Sequence, residues 1–261
     1  VANIEAITFQ NHSSKFWRRN DNLKFASKDS LSRITLAELP QAIMSLPVCF
    51  VMVEDQPQLV MLQGLESGSN LAVNEHGGWL FDYIPAVYRA YPFLLADGAE
   101  DNKILCINTD SGLILDDNTE EAFFEDDGTP TKNVSELLDF LSKLYINGLA
   151  TQNACNLLQK HDLIEPWPIS IHDGEEEQKI NGLFRIQEES LAQLTPEVLV
   201  QLRDAGALSL AYAQLFSMQR IGRLKTKMEN RGTNNGSADL EGLNIDFDSI
   251  QDNGSISFDN L

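Results

Sequence analysis

The sequence predicts an α+β fold: an antiparallel β meander with short helices, then C-terminal helical segments and a flexible acidic tail. Three observations predict it. β-rich apolar runs separated by polar turns crowd the first half, among them VCFVMVED, QLVMLQGLE and KILCIN. Apolar residues recur at spacings of three and four in the second half, the period of an amphipathic helix. Beyond residue 229 that period stops in sequence rich in Gly, Asn and Ser, which divides a folded body, 1–229, from a tail, 230–261.

Taken in order, IEAITF at 4–9 reads as a first strand. Lys15, Arg18 and Arg19 follow as a local basic cluster, interrupted by Trp17, whose ring suits stacking on a base or a carboxylate-bearing ligand and, as the favoured reading, pinning this loop onto the core. LAELPQAIMS at 36–45 spaces Leu36, Leu39, Ile43 and Met44 for a short helix, with Pro40 early enough to sit in a first turn. The two runs around the polar break at Asp55–Pro57 form a hairpin, and Leu71 and Val73, before the turn residues Asn74–Gly78, extend the meander. From Trp79 to Leu95 the chain packs its densest set of aromatics around a helix that Pro85 starts and Pro92 ends. KILCIN is a buried strand, and an acidic connection then closes on the turn signal Asp127-Gly128. Residues 133–160 carry the longest helical pattern, which Gly148 is expected to divide. ISI and INGLFRI flank the turn HDGEEE as strands. A helical block from Pro196 to Met228 breaks at Gly206 and ends in Arg220, Arg223, Lys225 and Lys227, charges suited to a helix C-terminus.

Composition narrows the function classes. The chain has 261 residues, 43% of them hydrophobic, enough to bury a core. Its 19 basic and 39 acidic residues give a net charge of −20, which repels phosphate backbones and anionic membranes and argues against nucleic-acid binding. Cys49, Cys106 and Cys155 are odd in number and widely spaced, so free buried thiols are expected rather than a disulfide framework or a zinc knuckle. VANIEAITFQ lacks the basic and apolar regions of a leader, and no uncharged apolar run approaches the ~20 residues of a membrane span. A cytoplasmic protein without membrane insertion is the expectation.

Local motifs for chemistry are sparse. His12, His76, His161 and His172 lack metal-ligand spacing, and the acidic run Asp116–Asp127 lacks the periodic carboxylates of a calcium loop, so neither metal nor cofactor is expected. Gly64-Leu65-Glu66-Ser67-Gly68 misses the nucleophile-elbow pattern by one position, and His161-Asp162, adjacent in sequence, reads as a polar helix end. Phosphate-binding glycine loops are missing too. Two candidate sites remain. Trp79, Tyr83, Arg89 and Tyr91 combine rigid apolar area, polar tips and a cation, and suit either a pocket or partner surface or simple core packing. The tail repeats I-x-F-D-[SN]-[IL] with an offset of 11 residues, offering Ile245, Phe247 and Ile250, then Ile256, Phe258 and Leu261, as partner-binding side chains. The bland alternative is a solubilising terminus.

The run from Gly78-Trp79 through Tyr83-Ile84-Pro85-Ala86 to Arg89-Ala90-Tyr91-Pro92-Phe93 resembles the W-x(3)-Y-I-P-A-x(2)-R-x-Y-P-F signature of the SapC family. Leu46-Pro47-Val48 with LQGLESGSN at 62–70 is similar to that family's N-terminal region. INGLFRIQEESLAQL with LRDAGALSLAYAQLFSMQRIGRL is similar to its C-terminal one, so the resemblance spans about residues 7–225. It implies a bacterial, surface-layer-related protein and transfers no catalytic residue. The function it points to is a non-enzymatic accessory or adaptor protein, acting with a partner protein in surface-protein export, assembly or modification; the tail repeat, outside the resemblance, is expected to add to the partner's sheet edge. An enzyme or small-ligand protein using residues 79–93 is the competing class, and a self-associating structural component, a homo-oligomer, the third.

Overall fold

The computed structural model describes residues 2–98, 102–116, 119–173 and 176–234, with the side chains of 171–178 and 230–234 left outside. It is α+β, built on antiparallel sheets and several helices. The strands are β1 (Ile4–Ala6), β2 (Phe16–Trp17), β3 (Leu31–Arg33), β4 (Val48–Val53), β5 (Gln56–Leu62), β6 (Phe93–Asp97), β7 (Lys103–Asn108), β8 (Ile114–Leu115), β9 (Glu121–Ala122), β10 (Ile164–Pro166), β11 (Ile169–Asp173), β12 (Glu176–Ile180) and β13 (Phe184–Ile186). The helices are α1 (Phe9–His12), α2 (Leu39–Ser45), α3 (Ala86–Ala90), α4 (Lys132–Lys160), α5 (Glu188–Ala192), α6 (Pro196–Asp204), α7 (Ala207–Ser217) and α8 (Ile221–Asn234). Two compact units result; their described residues are 2–22 with 87–146, and 23–86 with 147–234.

In the first unit a sheet ordered β1-β7-β6 and a small one ordered β8-β2-β9 enclose an aromatic core. Trp17 sets its edge on Phe93 at 4.8 Å, and both rings neighbour the fully buried Phe123. Trp17 therefore anchors its segment in the core, as a strand rather than a loop. Ala90, Leu95, Ile107, Val134 and Leu141 join them in the cluster. The expected strand at 4–9 is shorter, because the Thr8 side chain caps α1 at the Asn11 N–H and turns the chain after Ala6. The acidic connection contributes β8 and β9, which flank and pair with the two residues of β2.

The second unit is organised by a five-stranded sheet ordered β10-β13-β4-β5-β3. Val48 to Val51 are all fully buried, the mark of a strand covered on both faces. β4 and β5 turn on Glu54 and Asp55, at φ 48° and 64°, the two left-handed positions of a tight hairpin. The order departs from a sequential meander: β3 precedes β4 yet pairs with β5, and β13 returns beside β4. Leu71 and Val73 add no strand, only a bridge from Val73 to Trp79 that closes the Asn74–Gly78 turn. β11 and β12 form a separate hairpin, and Pro166 lies on the edge strand β10, where a missing N–H is tolerated.

Gly148 does not divide the long helix. α4 runs unbroken for 29 residues, since the roughly 1 kcal/mol cost of an internal glycine is small against the burial of Leu141, Ala154, Cys155 and Leu158 along the same helix. Gly206 does break the later block, at φ 74°, whereas α8 continues past Met228 to Asn234.

Candidate functional site

Tyr83 is buried, and its hydroxyl donates to Glu38 Oε1 at 2.8 Å. The Ala86 N–H donates to the same oxygen at 2.8 Å, while Glu38 Oε2 accepts from the Thr35 N–H and hydroxyl at 2.8 and 3.0 Å. A carboxylate that closes the capping box of the turn before α2 thus also fixes the entry to α3. Trp79 is half-buried at the bridge beside the Asn74 turn, where the Asn74 carbonyl oxygen accepts from the N–H groups of His76 and Gly78. Arg89 is exposed and lies 5.3 Å over the Phe140 ring. Tyr91 is half-buried; burial first, and the nearby Asp110 charge second, push its phenol up. Trp79 and Tyr83 belong to one unit and Arg89 and Tyr91 to the other, so neither unit gathers all four.

The other two stretches also build buried polar networks. The Asn70 amide donates to the Ala26 carbonyl at 2.8 Å and to Gln63 Oε1 at 3.0 Å, and Gln63 donates to the Ser32 hydroxyl. Gly64 passes so close to the Ser69 carbonyl that a Cβ there would overlap backbone. In α7, Gln214 accepts from the Ile186 N–H at 2.9 Å and donates to the Val48 carbonyl at 3.3 Å, while the Ser217 hydroxyl accepts from the Val48 N–H at 3.0 Å. One helix turn thereby fastens β13 to the start of β4.

The basic end of the helical block acts differently from the sequence reading. Arg220 and Arg223 precede or open α8 rather than closing it, and they donate to the Ile43, Met44 and Ser45 carbonyls at the end of α2. Lys225 donates to the Ser170 carbonyl at 2.7 Å. Arg220 and Arg223 thus cap the C-terminus of a neighbouring helix instead of their own, and Lys225 ties α8 to β11.

Three of the four histidines have described side chains, and that of His172 lies outside them. His12 is buried with its ring edge on Phe123, His76 is exposed beside Glu75, and His161 lies just beyond the end of α4, followed by Asp162 at φ 53°. No group of three metal-ligating side chains occurs among the described residues. Asp127 holds the turn through the Thr129 hydroxyl and N–H, which lower its carboxyl. The tail residues Ile245, Phe247, Ile250, Ile256, Phe258 and Leu261 lie outside the described residues.

The surface feature that sequence reasoning missed is on α7. Ala207, Leu210, Ala211, Gln214 and Ser217 form its buried stripe. Tyr212 and Phe216 lie about 200° from Leu210 and Gln214 at 100° per residue, on the opposite side. They are 47% and 68% exposed, and their rings stack with centroids 6.3 Å apart. Met44, whose carbonyl Arg223 reaches, is 57% exposed. The signal was available: ALSLAYAQLF is apolar around its whole circumference, a pattern that implies a covered helix.

A family model described as SapC matches residues 7–224. No curated protein and no solved structure gives a match.

Proposed function

The chain belongs to the SapC family, and we propose that it is a non-enzymatic accessory protein that binds a partner protein through the exposed side of α7. The stacked Tyr212–Phe216 pair carries this reading. Two large rings held in water opposite a fully packed helix face are the anchor type found at the centre of protein interfaces. The three stretches that resemble the family's motifs support it from another direction. Their polar residues are engaged in fold-building hydrogen bonds through Glu38, Gln63, Asn70, Gln214 and Ser217. The work we assign to the complex is surface-protein export, assembly or modification. We place it in the cytoplasm, where Cys49, Cys106 and Cys155 stay reduced.

Purification of the tagged full-length chain from its native cell tests this. A protein recovered in stoichiometric amount with the wild type, and lost with Phe216→Ser at unchanged thermal stability, is the expected outcome. Equal recovery with Phe216→Ser would refute the assignment of the surface.

A further inference from the structure

Apolar rings on a helix surface gain free energy when something covers them, and on α7 the uncovered strip is defined. Its helical path continues beyond Phe216, because Met218 and Ile221 keep right-handed φ values of −56° and −55°. Arg220, Arg223 and Lys227 follow Phe216 along the chain, across the 3-10 turn Met218–Arg220, with Arg223 at 3.7 Å from Asp82. An aromatic pair leading into a row of cations fits an apolar segment carrying acidic charge.

Resting on the reading of this strip as a binding surface, we propose that its resident occupant is the chain's own first tail repeat, Ile245-Asp246-Phe247-Asp248-Ser249-Ile250, docked in cis until a partner displaces it. Spacing is the first argument. In an extended segment Ile245 and Phe247 lie on one side about 7 Å apart, close to the 6.3 Å between the two ring centroids. Charge is the second. From residue 235 onward the sequence carries Asp239, Glu241, Asp246, Asp248, Asp252 and Asp259 with no Lys or Arg, in contrast to the cationic start of α8. Asp246 and Asp248 alternate away from the apolar pair, so they act on the cations across roughly a Debye length of 8 Å rather than as direct ion pairs.

Reach is the third argument. Ten residues separate Asn234 from Ile245, and the eleven steps between them span up to about 36 Å when extended. The return from Asn234 to Phe216 is shorter: about 21 Å for the 14 residues of α8, plus roughly 8 Å for the turn before it. Whatever path α8 takes, these lengths are upper bounds, and the repeat can lie on the aromatic pair.

Disulfide trapping in the full-length chain tests the proposal. Gln219→Cys and Ser249→Cys place thiols next to the contact without removing any of its apolar side chains, and the native thiols are buried. Under mild oxidation the expected product is an intramolecular cross-link in the monomer. Adding Phe216→Ser or Phe247→Ser slows its formation about tenfold or more, and roughly 1 M salt, which screens charge within about 3 Å, slows it further. Three results overturn the proposal: no cross-link, a cross-link whose rate ignores both serine variants, or cross-linked dimers alone, which would make a second copy the occupant. Partner capture separates this failure from that of the surface itself. Under the proposal, Phe247→Ser increases capture; a failed cross-link together with capture still lost in Phe216→Ser leaves the partner surface standing and removes the cis docking.

Discussion

Glu38 accepts four hydrogen bonds on its two oxygens, and that single residue explains why a tyrosine, and not a phenylalanine, stands at 83. Tyr83→Phe removes a hydrogen bond to a buried carboxylate and should cost about 1.5–3 kcal/mol, read as a lower urea midpoint with an unchanged slope. The sequence shows the spacing of this aromatic segment but not its partner, because the carboxylate lies 45 residues earlier and nothing local links the two. Cysteine behaviour, in contrast, follows from composition. All three thiols are buried; burial pushes Cys155 from 9.0 up to about 12 and moves Cys49 further in the same direction. An unfolded thiol ionises first, so above about pH 9 the unfolded chain holds fewer protons than the native one. Stability is intact with respect to these groups below pH 9 and falls as pH rises toward 12. Native protein should resist iodoacetamide at pH 8 and take up three alkyl groups per chain once denatured, as intact mass will show.

At the scale of elements, glycines separate what sequence can say from what it cannot. Gly206 stands between two helical patterns and is at φ 74° in the structure, with a Leu36 methyl 3.2 Å from where a Cβ would sit. Gly206→Ala should lose about 1–2 kcal/mol. Gly222 lies in α8 with open space around its Cβ position, so Gly222→Ala should gain about 1 kcal/mol. Opposite shifts of the thermal midpoint check the pair. Gly148 carries the same local signal as Gly206 and does not interrupt its helix, since tertiary packing of α4 decides the matter. The β4–β5 hairpin was legible because its apolar runs and polar turn are contiguous. The order of the larger sheet was not, because β13 reaches β4 across more than a hundred residues of chain, and pairing at that separation leaves no periodic trace.

For the whole molecule, the family signatures and the candidate surface divide the labour. The motif residues fasten elements together: Gln214 and Ser217 join α7 to two strands, and Asn70 and Gln63 close the loop after β5. The same helix that supplies Gln214 turns Tyr212 and Phe216 outward, so the fold-building side chains and the proposed partner surface lie on opposite sides of α7. One of the two candidate sites read from the sequence lies in the denser aromatic segment because aromatic count is visible in a string. Outward direction is not, and it depends on which stripe of α7 the sheet buries. Calorimetric titration of the co-purified partner with full-length wild-type and Phe216→Ser proteins tests this division most directly. Loss of one anchoring ring should weaken binding at least tenfold, about 1.4 kcal/mol or more, with the melting temperature unchanged; equal affinity for the two proteins would contradict it.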